Sequence, residues 1–464
     1  YEINYLGYGV GFQIISQPIQ FLITKLPINN PSLNDYGAHL TAKHLVVFLF
    51  FFLSGVFVYL ILMKIINDRI FCSFTVILYL LYPYLFGQSL FSPKDVPFMS
   101  VWVLSTLVSF NFFEKILEKK NVNTVNTIIF SLVTAYLISI RIAGILIFIQ
   151  YLITFLIFII SQKISFTKFI KKYFLSITIF FIFLIFFTFL LYPPFWTNPL
   201  LFFSAIDHMS NYFNDVCTNT LGSCMHPKNL PPTYIPIWLS VKLPLIIIFG
   251  ILLLPFTEKK IFVDIKRNIF FGTILLTSIL IPLILILRKV HLYDELRQVM
   301  FLIPMFFIVG SISFFVFSKK LFYIVGTVMI SLFIFENIKI HPYQYVWFNL
   351  PSRAIDLTKQ FELEYQGISG KEIATHVATL KNNNLCILVN PLHTLKPYLT
   401  NKKFTCFDIW QKIDTDYQRP FLAVQHVRNL KKGKSFKCKK IYETGFNLLF
   451  HKKKITTGKL LRCD

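Results

Sequence analysis

The sequence predicts a polytopic α-helical membrane protein that carries a small C-terminal α/β domain, and three observations predict it. The 464 residues are 55% hydrophobic and only 15% charged, with 54 phenylalanines; the mean hydropathy of +0.62 is one that a water-soluble fold of this size does not need. The apolar residues gather into about ten runs long enough to cross a bilayer as helices. From about residue 350 onward the composition becomes that of an ordinary soluble domain.

The runs lie at about 44–63, 70–87, 96–113, 125–140, 142–160, 174–192, 234–256, 269–287, 297–317 and 320–336. The stretch from 125 to 160 reads either as two tightly turned spans or as one long kinked helix. When alternate breaks are assigned to one side, that side collects Lys64, Arg69, Lys115, Lys119, Lys120, Lys163, Lys168, Lys171, Lys172, Lys259, Lys260, Lys266, Arg267, Lys319 and Lys320. The other short loops hold mainly Lys94, Arg141, Lys228, Arg288, Lys289 and Arg297. An excess of Lys and Arg marks the cytoplasmic side, so residues 91–98, the long loop 193–233 and everything after 336 are expected on the outer face. The opening residues, "YEINYLGYGVGFQII", fall on that face with no span before them, and a preceding N-terminal span, making about eleven, is expected.

The expected domains are a transmembrane domain over 1–340, with a first outer loop at 1–43 and the long outer loop at 193–233, and an outer α/β domain over 341–464. The long loop is too polar to span and too aromatic for a plain linker, so it is expected along the membrane interface. In the C-terminal domain "GKEIATHVATLKNN" has helical periodicity, and "LCILVN", "PFLAVQHV" and "FNLLF" read as strands. The basic tail "HKKKITTGKLLR" reads as a solvated surface or one lying against phospholipid headgroups.

The net charge of +24 sits in short breaks between spans and in the tail, which points to membrane lipid and away from nucleic acid as the partner. Of the seven cysteines only Cys72 lies in a span. The others fit disulfides, for example Cys217 with Cys224 across "CTNTLGSC", as well as free thiols. No Cys or His spacing suggests zinc.

Ionisable groups at the edge of a membrane core cost free energy unless they are paired or serve a site. "FSPKDVPF", residues 91–98, sets Lys94 and Asp95 between Pro93 and Pro97, which stiffen the backbone on both sides. A cation and a carboxylate at a lipid-water boundary suit sugar transfer from a polyprenyl phosphate. The cation holds the phosphate as leaving group, and the carboxylate takes a proton from the attacking hydroxyl, with inversion at the sugar carbon. Arg141 in "ISIRIAG" and Arg297 in "LRKVHLYDELRQVMFLIP" are candidates for a phosphate clamp, beside Glu295, Asp294 and His291. Arg288 and Lys289 are better read as snorkelling residues. Glu2 is a further outward carboxylate, and Asp207 and His208 in the long loop are weaker candidates for substrate contact. No cofactor is assigned from the sequence and no spacing makes a convincing metal site, while a divalent cation stays open, with Asp95 and Glu2 able to share one.

Several segments in order resemble the GT-C-type membrane glycosyltransferases, specifically bacterial relatives of the dolichyl-phosphate-mannose protein mannosyltransferases (family 39-like) and of the lipid A aminoarabinose transferase. "SPKDVPF", "YPPFWTNP", "LPPTYIPIWLSVKLP", "ELRQVMFLIP", "HPYQYVWFN" and "FELEYQGISGKE" carry the resemblance over roughly 90 to 375. It implies a GT-C architecture of about eleven spans, an outer-face active site, a polyprenyl-phosphate sugar donor and a hydroxyl acceptor on protein, lipid or glycan. It also implies that Asp95 matches the acid of the family's second outer loop and Lys94 a donor-phosphate contact. The family's main acid sits in the first outer loop, commonly as Asp-Glu; here "YEINYLGYG" offers Glu2 without the aspartate.

Two readings compete with transfer. A transporter or flippase of a lipid-linked saccharide would place its charges near mid-membrane, and here they collect at one face. A scaffold presenting the C-terminal domain would tolerate loss of Lys94 and Asp95. A channel lacks any polar stripe.

Overall fold

A computed structural model describes residues 9–25, 35–118, 120, 122–211, 216–380, 385–389, 394–395, 398–399, 407–408, 420–428 and 438–464, the side chains of 35–38, 208–211 and 407–408 excepted. The chain divides into two compact units. One comprises Tyr1–Val216 and His226–Ile334, the other Cys217–Met225 and Phe335–Asp464.

The first unit is helical, and the chain is an integral membrane protein. Among the described residues seven helices are long and apolar enough to cross a bilayer: His39–Ile65 within α2 (Asp35–Ile65), α5 (Asp95–Leu117), Ile142–Gln162, α8 (Phe166–Leu191), α13 (Ile265–Leu287), Arg297–Phe317 and α15 (Lys319–Lys339). The expected runs at 70–87 and 234–256 are not straight helices. The first breaks by 64° between α3 (Arg69–Leu81) and α4 (Pro83–Ser89), the second by 119° between α10 (Tyr234–Lys242) and α11 (Leu245–Leu252). Each break precedes or contains a proline, Pro83 or Pro244, which lacks an amide hydrogen and pushes its predecessor out of the helical region. Thr124–Ile140, α6, is a shorter apolar helix.

Between 125 and 160 the chain turns back on itself. Arg141 is extended (φ −149, ψ 134) between α6 and a 3-10 turn at Ile142–Leu146 that leads into α7 (Ile147–Gln162). Thr134 lies 3.0 Å from the Tyr151 hydroxyl, and the Phe130 and Tyr151 rings are 4.9 Å apart. Such pairs, closing around residue 141, belong to antiparallel neighbours. A Cβ on Gly144 would come within 2.9 Å of the Ile138 backbone, so the turn requires glycine. The same holds where α11 meets α14 (Ile303–Phe317): a Cβ on Gly250 would lie 1.9 Å from the Gly310 carbonyl, and small residues are what allow helix backbones to touch within lipid.

Polar groups inside the bundle find partners across helices. Trp102 Nε1 donates to Gln150 (2.9 Å) and Gln150 Nε2 to Thr106 (2.7 Å). At one end of α5, Glu114 forms salt bridges with Lys64 of α2 and Lys266 of α13. Asp95 is nineteen residues earlier on the same helix, about 28 Å away at the helical rise, which is close to one membrane thickness.

The expected first outer loop, 1–43, already contains α1 (Gly11–Lys25) and the start of α2. The long loop is structured too. Its helix α9 (Leu201–Asn211) packs Ala205, Ile206 and Phe202 against Ile138, Ile142, Tyr192 and Phe195, leaving Leu200 and Phe203 exposed.

The second unit has a five-stranded sheet in the order β4-β3-β5-β7-β6: β3 (Cys386–Val389), β4 (Phe407–Asp408), β5 (Phe421–His426), β6 (Lys439–Phe446) and β7 (Ile455–Cys463). Strands β4, β3 and β5 are parallel, and β7 runs antiparallel to both β5 and β6. Helix α17 (Ser369–Thr379) covers one face, where Ile373, Ala374 and Val377 meet Ile387, Val389, Leu422, Val424 and Leu460. The basic tail is therefore strand β7, held on both edges, and "FNLLF" is mostly the turn after β6. In β7 the partly exposed Lys459 and Arg462 are interleaved with buried Leu460, Leu461 and Cys463, so two basic residues hid a largely buried strand.

The hairpin β1 (Thr218–Thr220) and β2 (Ser223–Met225) of the long loop belongs to this second unit. The Cys217–Cys224 disulfide closes it, and it bonds to 360–362 through Gly222 N to Gln360 O (2.9 Å) and Glu362 N to Asn219 O (2.7 Å). Cys438 and Cys463 form a second disulfide, and Cys386 is disulfide-bonded as well. Cross-linking so short a loop stabilises by about 2–3 kcal/mol in the chain-entropy account. Cys217→Ser with Cys224→Ser is expected to raise amide exchange at Asn219, Gly222 and Glu362 by about tenfold or more, read by mass spectrometry. Unchanged protection would show that the hairpin is held without the cross-link.

Candidate active site

Asp95 opens α5, with Pro97 in the first turn where a missing amide hydrogen costs nothing. A carboxylate there is also favoured by the helix dipole. The side chain is buried and surrounded by donors. Arg141 Nη1 reaches Asp95 Oδ1 at 2.5 Å, Arg297 Nε lies 3.3 Å from Oδ2, and Ser92 Oγ donates to Oδ2 at 3.3 Å. Residues far apart in sequence thus converge on one carboxylate.

Each arginine is held by its own local structure. Arg141 sits in the turn between α6 and α7, stacked over the Phe98 ring at 5.7 Å. Arg297 begins the 3-10 turn Arg297–Leu302 ahead of α14, lies 5.4 Å over the Tyr293 ring, and has Nη1 3.1 Å from Asp294 Oδ2. The two residues ahead of Leu296, Asp294 (φ 57) and Glu295 (φ 59), are both left-handed. Consecutive non-glycine residues in that region cost about 1–3 kcal/mol each, and such strain persists only where the surroundings impose it.

A cavity of about 210 Å³ opens beside Arg141. Its lining includes the polar residues Arg141, His291, Tyr293 and Gln298 and the apolar residues Ile145, Leu285 and Phe301. Arg141 Nε is buried and, among the described residues, has no hydrogen-bond partner. An unpaired buried donor is costly, and the Arg141 guanidinium, bound through Nη1 to Asp95, also lines the cavity wall.

The structure therefore brings Asp95, Arg141 and Arg297 together, and His291 lines the same cavity as Arg141. Lys94 caps the same helix but is exposed, so the adjacent acid and base of "PKD" face different surroundings. Asp207 is exposed on α9; the His208 side chain and all of Glu2 lie outside the described residues. With both oxygens turned to guanidinium groups, Asp95 is not disposed to ligate a divalent cation in this arrangement. The cysteines 217 and 224 are cross-linked, so they offer no thiolate.

Sequence reasoning missed Lys242. Its ammonium lies 2.8 Å from Glu295 Oε2 with both side chains fully buried, 5.0 Å over the Tyr84 ring and 5.7 Å over the Trp238 ring. The signal was present: a lysine inside the apolar run 234–256 is a site or a structural pin by default.

No protein-family model matches the chain, and no curated protein does either. Several solved structures are similar to it, and two illustrate the likeness. One is ArnT from Cupriavidus metallidurans in the apo state, 10% identical, with 99% of this chain and 88% of that chain covered and a TM-score of 0.50. The other is ArnT from the same organism bound to undecaprenyl phosphate, with the same identity and coverage and a TM-score of 0.49. At such identity the likeness is one of fold, and that fold is the GT-C type which the sequence motifs led us to expect.

Proposed function

We propose that the protein is a glycosyltransferase that moves a sugar from a polyprenyl-phosphate donor to an acceptor hydroxyl at the outer face of the membrane. The observation that carries this reading is the Arg141 guanidinium at the wall of a largely apolar cavity, with the Asp95 carboxylate bound beside it. A phosphate on a hydrocarbon chain satisfies both halves of that environment, and the GT-C fold supports the same class of substrate.

In the reaction the acceptor oxygen bonds to the anomeric carbon from the face opposite the phosphate. The carbon–oxygen bond to phosphate breaks, and its electron pair leaves on the polyprenyl phosphate, so configuration inverts. Arg141 and Arg297 neutralise the charge growing on that oxygen, and no general acid is required because phosphate leaves readily. The acceptor proton passes to a carboxylate, Asp95 or Glu2. Arrival of the phosphate draws the arginines off Asp95 and frees it for that step.

The test incubates purified protein in detergent with a panel of polyprenyl-phosphate sugars and follows release of polyprenyl phosphate together with sugar transfer. Turnover of one donor supports the reading; none with any donor, alongside saccharide transport in vesicles, replaces it with the flippase. Arg141→Gln is expected to weaken binding of farnesyl phosphate about ten- to a hundredfold, the worth of a lost charged hydrogen bond. Unaltered affinity in a calorimetric titration would take Arg141 out of the donor site.

A further inference from the structure

We propose that Lys242 is a positioning residue for Arg297, acting through Glu295. The Lys242–Glu295 pair is completely buried at 2.8 Å. It sits where three irregular segments meet. Lys242 ends α10 just before the 119° break. Its carbonyl accepts from the Tyr82 hydroxyl (2.6 Å), and Tyr82 stands at the 64° break of the other bent span. Glu295 occupies the second of the two left-handed positions directly upstream of Arg297, and its carbonyl accepts from Tyr234 of α10 at 3.4 Å.

A buried ion pair gains little over hydrophobic packing, so its retention calls for a use in geometry. Here the use is visible. A glutamate adopts left-handed backbone only under constraint, and the ammonium, seated over the Tyr84 and Trp238 rings, holds the Glu295 carboxylate at 2.8 Å. With Glu295 pinned, the turn 294–295 keeps the Asp294 carboxylate 3.1 Å from Arg297 Nη1 and sets Arg297 Nε 3.3 Å from Asp95. The relay runs Lys242, Glu295, Arg297, Asp95, and Lys242 itself touches neither donor nor acceptor. Its consequence for donor binding rests on the glycosyltransferase reading, whereas its geometry does not.

A thermodynamic cycle without any ligand tests it. Asp95→Asn, Arg297→Gln and their combination are prepared in the wild-type chain and in the Lys242→Met/Glu295→Gln background, and each is unfolded thermally in detergent. In the wild-type background the two substitutions are expected to be non-additive by about 2–4 °C in Tm, as neighbours in one ion-pair network are. In the second background that non-additivity is expected to vanish. Equal non-additivity in both backgrounds overturns the proposal and leaves Lys242 as a purely structural pin. If the Lys242→Met/Glu295→Gln chain does not fold, Lys242→Arg serves as background; its larger head displaces Glu295 and is expected to halve the non-additivity at least, and no change again overturns the proposal. A second readout separates positioning from stability: the dissociation constant for farnesyl phosphate, expressed per folded molecule, is expected to rise about tenfold in the Lys242→Met/Glu295→Gln chain. Should wild type bind no farnesyl phosphate, the donor reading falls, while the unfolding cycle still decides the role of Lys242.

Discussion

Asp95→Asn is expected to lower turnover by about 10²- to 10⁴-fold, the range for removing a proton acceptor from a transition state. The product, polyprenyl phosphate, should bind it as tightly as wild type or more so. The two effects have one cause. Asp95 lies 2.5 Å from Arg141 and 3.3 Å from Arg297, so its negative charge competes with phosphate for the same guanidinium groups. An asparagine keeps the shape and drops the competition, yet it accepts no proton. The outcome therefore discriminates between two roles for one carboxylate. A fall in kcat with affinity held or improved assigns Asp95 to proton transfer. A loss of affinity at preserved kcat would make it only the brace that spaces the two arginines. Turnover equal to wild type would remove it from the mechanism and favour Glu2 as the proton acceptor.

Much of the membrane architecture was legible because hydrocarbon thickness imposes run lengths that composition alone reveals. The candidate site was legible for a related reason: Asp95, Arg141 and Arg297 sit at span ends in otherwise apolar surroundings, where a charge without a purpose is costly. What remained hidden was which charges meet. Lys94 adjoins Asp95 in the chain but is exposed, whereas Arg141, forty-six positions away, closes on it, and adjacency in sequence says nothing about direction in a helix's first turn. The breaks at Pro83 and Pro244 were signalled by proline, yet hydropathy windows average across them. Lys242 was overlooked for the same reason, being a single charge inside a long apolar run, and Glu336 because it closes one. In the C-terminal unit, β7 was obscured by Lys459 and Arg462, which occupy partly exposed positions of an otherwise largely buried strand.

Arg353→Met is expected to cost about 3–5 kcal/mol, the largest stability effect that the second unit offers. Arg353 and Glu336 are paired with side chains 0% and 1% exposed. The guanidinium reaches both carboxylate oxygens, with Nη2 to Oε2 at 3.0 Å, and also donates to the carbonyls of Phe348 (2.6 and 2.8 Å) and Leu449 (2.9 Å). Trp347 Nε1 donates to Glu336 at 2.5 Å, and the guanidinium stacks 5.6 Å over its ring. Removing the arginine strands a carboxylate with no water to solvate it and leaves two carbonyls without a donor. Removing both charges is different, because the apolar replacement loses the attraction and the desolvation cost together. Arg353→Met with Glu336→Leu should therefore unfold at a higher temperature than Arg353→Met alone, read from thermal scans of the whole chain. If the double variant instead loses the sum of the two single losses, the pair is not coupled, and the carbonyl bonds of Arg353 rather than its charge hold the segment from 348 to 353 against 449.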